Sequence, residues 1–304
     1  MTGDPPGGRP GKGDSLIEVP AAFRAMPRWW TQGPAWLDNL PVAVRDRCLR
    51  WRLRLDGRPA HGSNALVLPV VRDGEPLVLR MTPPGPEVAG QVRALRFWAG
   101  RGTVLLHDAD EAGGAMLLER LDGTRQVTGL PVADAMVVLG QVMRRLAVPA
   151  DPAAPSTAVA VAADAVELER EPERARIDRV FVDAALGAAG SLSTAATDLA
   201  VNGDLHSDQV LRGNREPWLA VDPVLMRGDI EYDLARVLWT RVDEMADNEI
   251  MTHFDAVVGA AGLDRDRARD WVVFRAASYW RWGLDHGLTE DPPRCRRLLA
   301  ALTG

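Results

Sequence analysis

Apolar residues in the first 120 positions follow two different periods. At residues 51–55, 65–71 and 77–81 they alternate with polar residues or run together briefly, the pattern of β-strands. Asp56-Gly57 and Asp73-Gly74 supply turn chemistry between these runs. Residues 87–98 instead place Val88, Val92, Leu95 and Phe97 or Trp98 near a spacing of 3.6, the stripe of an amphipathic helix. Pro83-Pro84-Gly85-Pro86 punctuates the chain just before it. Two further apolar runs, 103–106 and 115–118, predict two more strands. Ahead of the first strand, 21–30 and 34–48 read as short helices, in which Trp29, Trp30 and Trp36 are expected to pack in a core. Residues 15–120 are thus predicted to form an N-terminal lobe, a five-stranded antiparallel sheet with one helix.

Past a connector at 119–123 the period becomes helical. Residues 132–146 align Ala135, Val138, Leu139, Val142 and Leu146 and end at a Pro-rich break. Segments 161–170, 172–188, 232–245, 248–262, 264–283 and 293–302 also read as helices. The predicted fold class is α+β: two lobes, with 121–304 forming a mainly helical C-terminal lobe. No internal repeat is present.

One stretch interrupts the helical half. Asn202-Gly203-Asp204-Leu205-His206 is a small polar loop, followed by a short strand at 209–212, a turn at 213–217 and a returning strand at 218–222. With the turn centred near Arg215, Gln209 falls roughly opposite Val221, one residue from Asp222. Asp204, Gln209 and Asp222 are therefore expected to converge. Phosphoryl transfer uses such a set: one carboxylate takes the proton of an attacking hydroxyl, while another and an amide oxygen hold Mg²⁺ on nucleotide phosphates. The spacing also fits a plain polar loop leading into a hairpin. Earlier, the loop 58–64 is small and polar enough for backbone N–H groups, those of Ser63 and Asn64 included, to approach a phosphate, and it equally suits a simple hairpin turn.

Composition narrows the class. With 304 residues, 46% hydrophobic and 26% charged, the chain can bury a sizeable core. A net charge of −6 argues against a general nucleic-acid binder and fits a cationic small-molecule partner, although solubility alone accounts for it. No apolar run nears the roughly 20 residues of a membrane span, and Met1 to Lys12 has no apolar signal region. A cytoplasmic protein with no membrane association and no obligate protein partner is expected. Cys48 and Cys295 are too few for a disulfide framework. Residues 1–14, rich in Pro and Gly, are expected to be disordered, and they hold the only lysine, Lys12.

These features together resemble a known family. Trp36-Leu37-Asp38-Asn39-Leu40-Pro41, Leu77-Val78-Leu79-Arg80, Ala94-Leu95-Arg96-Phe97-Trp98 and Leu117-Leu118-Glu119-Arg120 in the first lobe are similar, in order, to motifs of the aminoglycoside and hydroxyurea phosphotransferases, typified by streptomycin 6-kinases. Gly203-Asp204-Leu205-His206, Val221-Asp222-Pro223 and the run from Gly228 to Ala235 continue the match. The resemblance implies a protein-kinase-like bilobal fold and ATP and Mg²⁺ as cofactors, with a cationic, polyhydroxylated aminoglycoside-like acceptor. It implies Asp204 as catalytic base, Asp222 and Gln209 as metal ligands, and Arg80 with Ser63 and Asn64 toward the phosphates. The backbone of Glu119, Arg120 and Leu121 would receive adenine. His206 and Asp233 are expected to brace the loop rather than to act on substrate.

The chain departs from the family pattern at Asn202, where His is usual, at Gln209, where Asn is usual, and at Arg80, where lysine is usual. Gln91 stands where the helix carboxylate that pairs with that lysine is expected. Arginine keeps the charge and can grip phosphate in a bidentate way. The departures keep two alternatives open: a pseudokinase that binds nucleotide or ligand as a regulator, and a kinase for another metabolite such as an amino sugar. For the acceptor, Asp243, Glu244, Asp247, Asp270 and Asp285 are acidic candidates that also suit solvated helix faces, and Trp280 and Trp282 near Tyr279 suit either a sugar-facing wall or core.

Overall fold

The computed structural model describes residues 17–26, 33–170 and 177–304. The tail 1–14 with Lys12, Trp29, Trp30 and the start of the helix expected from 172 lie outside the described residues. The chain divides into two compact units, one reaching to Val88 and including His107–Arg120, the other holding Ala89–Leu106 and Leu121–Gly304.

The first unit contains α1 (Ala21–Arg24), α2 (Pro34–Trp51), β1 (Arg54–Leu55), β2 (Ala60–His61), β3 (Leu66–Arg72) and β4 (Glu75–Met81). After α3 (Pro86–Trp98) come β5 (Leu106–Asp110) and β6 (Ala115–Glu119). Five strands follow the order β1-β3-β4-β6-β5, and the short β2 adds a sixth by pairing with β3. Strict alternation in β3 turns Leu66, Leu68 and Val70 inward, where they meet Leu77, Leu79 and Met81 of β4 and Leu37, Leu40 and Val44 of α2. Burying each such side chain contributes about 1.5–3 kcal/mol. Phe23 meets Trp36 edge-on at 6.2 Å, so Trp36 packs against the core as expected.

Two boundaries differ from the sequence reading. The helix expected to stop at 48 runs through Trp51, closed by Arg52 at φ 54°, so the first strand shrinks to two residues. The apolar run at 103–106 is not a strand of this sheet: Thr103 and Val104 are buried in the second unit, where Val104 N–H donates to Ala220 O at 2.9 Å. The sheet's fifth strand is instead the half-buried run Leu106–Asp110 at its edge, where a polar sequence is tolerated.

The second unit holds β7 (Asp122–Gln126), α4 (Val132–Leu146), α5 (Thr157–Glu169), α6 (Arg179–Leu192), β8 (Leu199–Asn202), β9 (Val210–Arg212), β10 (Trp218–Ala220) and β11 (Leu225–Gly228). Four more helices complete it: α7 (Leu234–Trp239), α8 (Ile250–Ala261), α9 (Arg265–Asp285) and α10 (Asp291–Thr303). Helix α4 has the bounds its periodicity predicts and buries Ala135, Leu139, Val142 and Leu146. It lies so close to α8 that a Cβ on Gly140 would stand 2.7 Å from Val257 O. The expected hairpin is β9–β10, and it gains β7 as a third strand beside β9, while β8 pairs with β11. Asp229 ties these parts together from a fully buried position. Its Oδ1 accepts from Ala196 N and Thr197 N, and its Oδ2 accepts from Arg267 Nε at 2.7 Å and Trp271 Nε1 at 3.1 Å. A charge this deep persists because it is paired and hydrogen-bonded. Among the described residues no helix is long and apolar enough to cross a membrane.

Candidate active site

The loop that carries Asp204 is braced from three sides. Asn202, only 1% exposed, points its Oδ1 at two backbone donors, Asp204 N at 3.4 Å and Val224 N at 3.1 Å. Gly203 passes so near the β11 strand that a Cβ there would stand 2.6 Å from Met226 Sδ. Behind the loop, the wholly buried Asp233 accepts from Leu205 N–H; burial first, and then repulsion from Asp204, pushes its carboxyl well above the ordinary carboxylate range. The Oδ1 atom of Asp233 is buried and has no hydrogen-bond partner. Asp233 braces the loop through Leu205 rather than capping α7, for which its side chain makes no hydrogen bond. Asn202 thus does bracing work at the position where the family usually has His.

Asp204 and Gln209 meet directly: Gln209 Nε2 donates to Asp204 Oδ2 at 3.1 Å. A carboxylate only accepts, so the amide must present its nitrogen to Asp204 and turn its oxygen away. That oxygen, Gln209 Oε1, is buried and has no hydrogen-bond partner. The hairpin register is as the sequence predicts, with Val221 N donating to Gln209 O at 2.8 Å, which leaves Asp222 as the next residue along. Asp222 adopts φ 52°, a left-handed conformation that costs a non-glycine residue of order 1 kcal/mol and recurs at functional sites. His206 lies 3.6 Å through Nδ1 from Asp208 Oδ2. With Thr128, which donates to Asp208 Oδ1 at 2.5 Å, it lowers the Asp208 carboxyl to about 2, the His206 interaction being the larger cause. That pairing turns His206 toward Asp208, consistent with a bracing role.

In the first unit the structure brings two expected phosphate-side residues together. Arg80 is 3% exposed on β4, and its Nη2 donates to Asn64 Oδ1 at 3.3 Å; Ser63 is exposed in the same turn. The Arg120 side chain is spent on the sheet itself, donating through Nε to Leu77 O at 3.0 Å and through Nη1 to Asp56 Oδ2 at 2.7 Å. A ligand contact at this position would therefore fall to the Arg120 backbone rather than its side chain.

Beside the loop, within the second unit, a cavity of about 390 Å³ opens among α5, α9 and Tyr232. Asp164, Arg275, Tyr279, Trp282, Asp285 and His286 contribute to its lining. Its wall carries nearly parallel rings, Tyr279 on Trp282 at 5.3 Å and Trp282 on His286 at 4.2 Å, with the buried Trp239 stacked behind Tyr279 at 4.4 Å. Arg275 lies 3.6 Å over the Tyr232 ring; burial lowers its pKa to about 10 against the opposing pull of Asp164 and Asp204. Burial likewise raises the Asp164 carboxyl. The structure sorts the acidic candidates on the helices. Asp285 lines the cavity, whereas Asp243 and Asp247 pair with Arg294 and Arg297, Glu244 pairs with Arg241, and Asp270 accepts from Ser191. Trp282 belongs to the wall and Trp280 to the core, packed against Phe181 at 6.0 Å. Asp164 and Arg236, the latter 3.0 Å through Nε from Asp204 Oδ1, were not legible as site residues in the sequence.

The architecture matches solved kinase-like structures across nearly the whole chain. A crystal structure of the aminoglycoside phosphotransferase APH(4)-Ia aligns with a TM-score of 0.61 at 16% identity, covering 86% of this chain and 98% of that one. The choline kinase LicA from Streptococcus pneumoniae aligns with a TM-score of 0.58 at 10% identity, covering 87% and 99%. At such identities the likeness establishes the fold alone: a protein-kinase-like α+β fold. The sequence comparisons go further. Residues 50–287 match the model of the aminoglycoside/hydroxyurea antibiotic resistance kinase family, and the chain belongs to that family. It is 36% identical to a streptomycin 6-kinase from Streptomyces griseus over 86% of this chain and 89% of that protein. It is 35% identical to a hydroxyurea phosphotransferase from Kitasatospora aureofaciens over 92% and 84%.

Proposed function

We propose that this kinase transfers the γ-phosphoryl group of ATP to a hydroxyl of a streptomycin-type aminoglycoside or a related aminocyclitol, with Asp204 as base. The observation that carries the reading is the placement of Asp204: held by Gln209 in a braced loop, beside a cavity walled by flat rings and edged by Asp164 and Asp285. Flat aromatic faces accept the C–H faces of sugar rings and the cations they bear, and carboxylates pair those cations. The relative named for streptomycin supports this acceptor, and the one named for hydroxyurea supports phosphoryl transfer more broadly.

Mg²⁺ fits the residues present. The buried, partnerless Gln209 Oε1 and the Asp222 carboxylate form a hard oxygen donor set of the kind Mg²⁺ accepts alongside phosphate oxygens and water. When bound, the ion would neutralise charge on the nucleotide phosphates. Asp204 accepts the acceptor's hydroxyl proton as the oxygen attacks phosphorus, worth typically 10²–10⁴-fold for a positioned base. Gln209 fixes Asp204 from one side, and Asn202 and Asp233 fix the loop. Arg80, Ser63 and Asn64 engage the phosphates, and the backbone of Glu119, Arg120 and Leu121 receives adenine. The longer, planar Arg80 serves where lysine is usual because it can grip two oxygens at once.

ATP turnover measured against separate acceptors, namely streptomycin, hydroxyurea, choline and an amino sugar, tests this reading. Streptomycin-dependent ADP formation is expected. Turnover driven only by the amino sugar would replace the acceptor, and tight Mg·ATP binding without turnover on any acceptor would replace the kinase by a pseudokinase.

A further inference from the structure

We propose that Arg236 is a positioning residue that occupies Asp204 in the empty enzyme and so restrains transfer of phosphoryl groups to water until an acceptor fills the cavity. The inference rests on the assignment of Asp204 as base. Both oxygens of that carboxylate are engaged: Oδ2 accepts from Gln209 Nε2 at 3.1 Å, and Oδ1 lies 3.0 Å from Arg236 Nε. The second contact is an ion pair without hydrogen-bond geometry, because Arg236 Nε has no hydrogen-bond partner.

The guanidinium also has somewhere else to rest. It lies 5.6 Å from the ring centroid of Trp239 and 5.8 Å from that of Tyr279, within reach of cation–π attraction to both. Tyr279 is anchored by donating to Asp291 Oδ2 at 3.0 Å, and with Trp282 it forms cavity wall. One side chain thus touches the base at one end and, at the other, the ring stack against which an acceptor would lie. An acceptor lying against Tyr279 and Trp282 competes with Arg236 for the same carboxylate. Its hydroxyl can then replace Arg236 at Oδ1.

In the productive step the hydroxyl proton passes to Asp204 Oδ1. The acceptor oxygen bonds to the γ-phosphorus, and the bond from that phosphorus to the β–γ bridging oxygen breaks, its electron pair leaving with ADP. Water in the acceptor's place undergoes the same exchange and gives ADP and inorganic phosphate. Arg236 at Oδ1 opposes the second course when the cavity is empty.

The test is phosphate release from Mg·ATP with no acceptor present. Arg236→Met, which keeps the length and removes the charge, is expected to hydrolyse ATP about tenfold faster than the wild type, a part of what a positioned base can supply. Its ATP affinity, measured by calorimetry, is expected to stay within about twofold, and added methylguanidine is expected to slow the hydrolysis again. Arg236→Lys, with the charge but not the fork, should fall between. Hydrolysis by Arg236→Met that is unchanged, or that falls together with acceptor phosphorylation, overturns the proposal, since a purely structural pair would lower both. Should Arg236→Met fail to fold, Arg236→Gln is read in the same way. Phosphorylation of streptomycin by the wild type, read in parallel, tests the parent assignment separately.

Discussion

Gln209 Nε2 donates to Asp204 Oδ2 at 3.1 Å while the same amide's Oε1, buried, is left without a partner. One side chain thereby links the expected base to the expected metal position. Gln209→Leu is expected to raise the Mg²⁺ concentration for half-maximal turnover about tenfold, the scale on which a lost ligand or its supporting group acts. A Mg²⁺ titration of initial rates measures it, and an unchanged midpoint would remove Gln209 from the metal site.

Asn202 serves as acceptor for Asp204 N and Val224 N at once. Asn202→Ala removes the acceptor of both part-buried donors and is expected to destabilise the fold by about 1 kcal/mol in urea unfolding. Asn202→His, the residue usual in the family, tests whether the imidazole can replace the amide in this loop. Activity at or above the wild-type level would show that the two residues brace the loop equivalently.

Two carboxylates nearby make opposite contributions to the pH dependence of stability. Asp233 has its carboxyl raised by burial and then by Asp204, so the folded state keeps a proton that the unfolded chain releases near 3.8. Stability therefore falls as pH rises from that value through the raised folded one. Asp208, lowered from 3.8 to about 2 chiefly by His206, contributes stability that is present above 3.8 and lost as pH falls toward 2. Unfolding of Asp233→Asn followed from about pH 4 to 8 should lack the decline seen in the wild type. An identical slope in both proteins would show that Asp233 does not titrate as described.

The two neighbouring tryptophans of α9 separate wall from core. Trp282→Ala is expected to raise KM for the acceptor with little change in KM for ATP or in Tm, because Trp282 is 47% exposed on the cavity wall. Trp280→Ala, at 7% exposure against Phe181, is expected to cost about 3–5 kcal/mol of stability. Steady-state kinetics and thermal unfolding of the pair decide it. Equal loss of stability in both variants would place Trp282 in the core as well.

Much of this arrangement was legible in local pattern. The turn at 213–217 and the flanking apolar runs were enough to set Gln209 against Val221, because hairpin register follows from turn position. Helix α4 was readable from its stripe alone. Strand β7 was not: Asp122–Gln126 is almost wholly exposed and has no apolar alternation, so its pairing with β9 is a tertiary event. The run at 103–106 looked like a strand because it is apolar, yet its first two residues, Thr103 and Val104, are buried in the second unit and only Leu106 enters a strand, as the first residue of β5. Arg236 and Asp164 carry no local signature, since an arginine on one helix and an aspartate on another read as solvated faces until the fold brings them to Asp204 and the cavity.

Mass spectrometry of streptomycin incubated with the enzyme and Mg·ATP, with Asp204→Ala as control, tests whether Asp204 is the base for phosphoryl transfer to this acceptor. A gain of one phosphoryl group is expected with the wild type and none with Asp204→Ala, whose ATP affinity should be retained. Streptomycin left unmodified by the wild type, or modified equally by Asp204→Ala, would contradict that assignment.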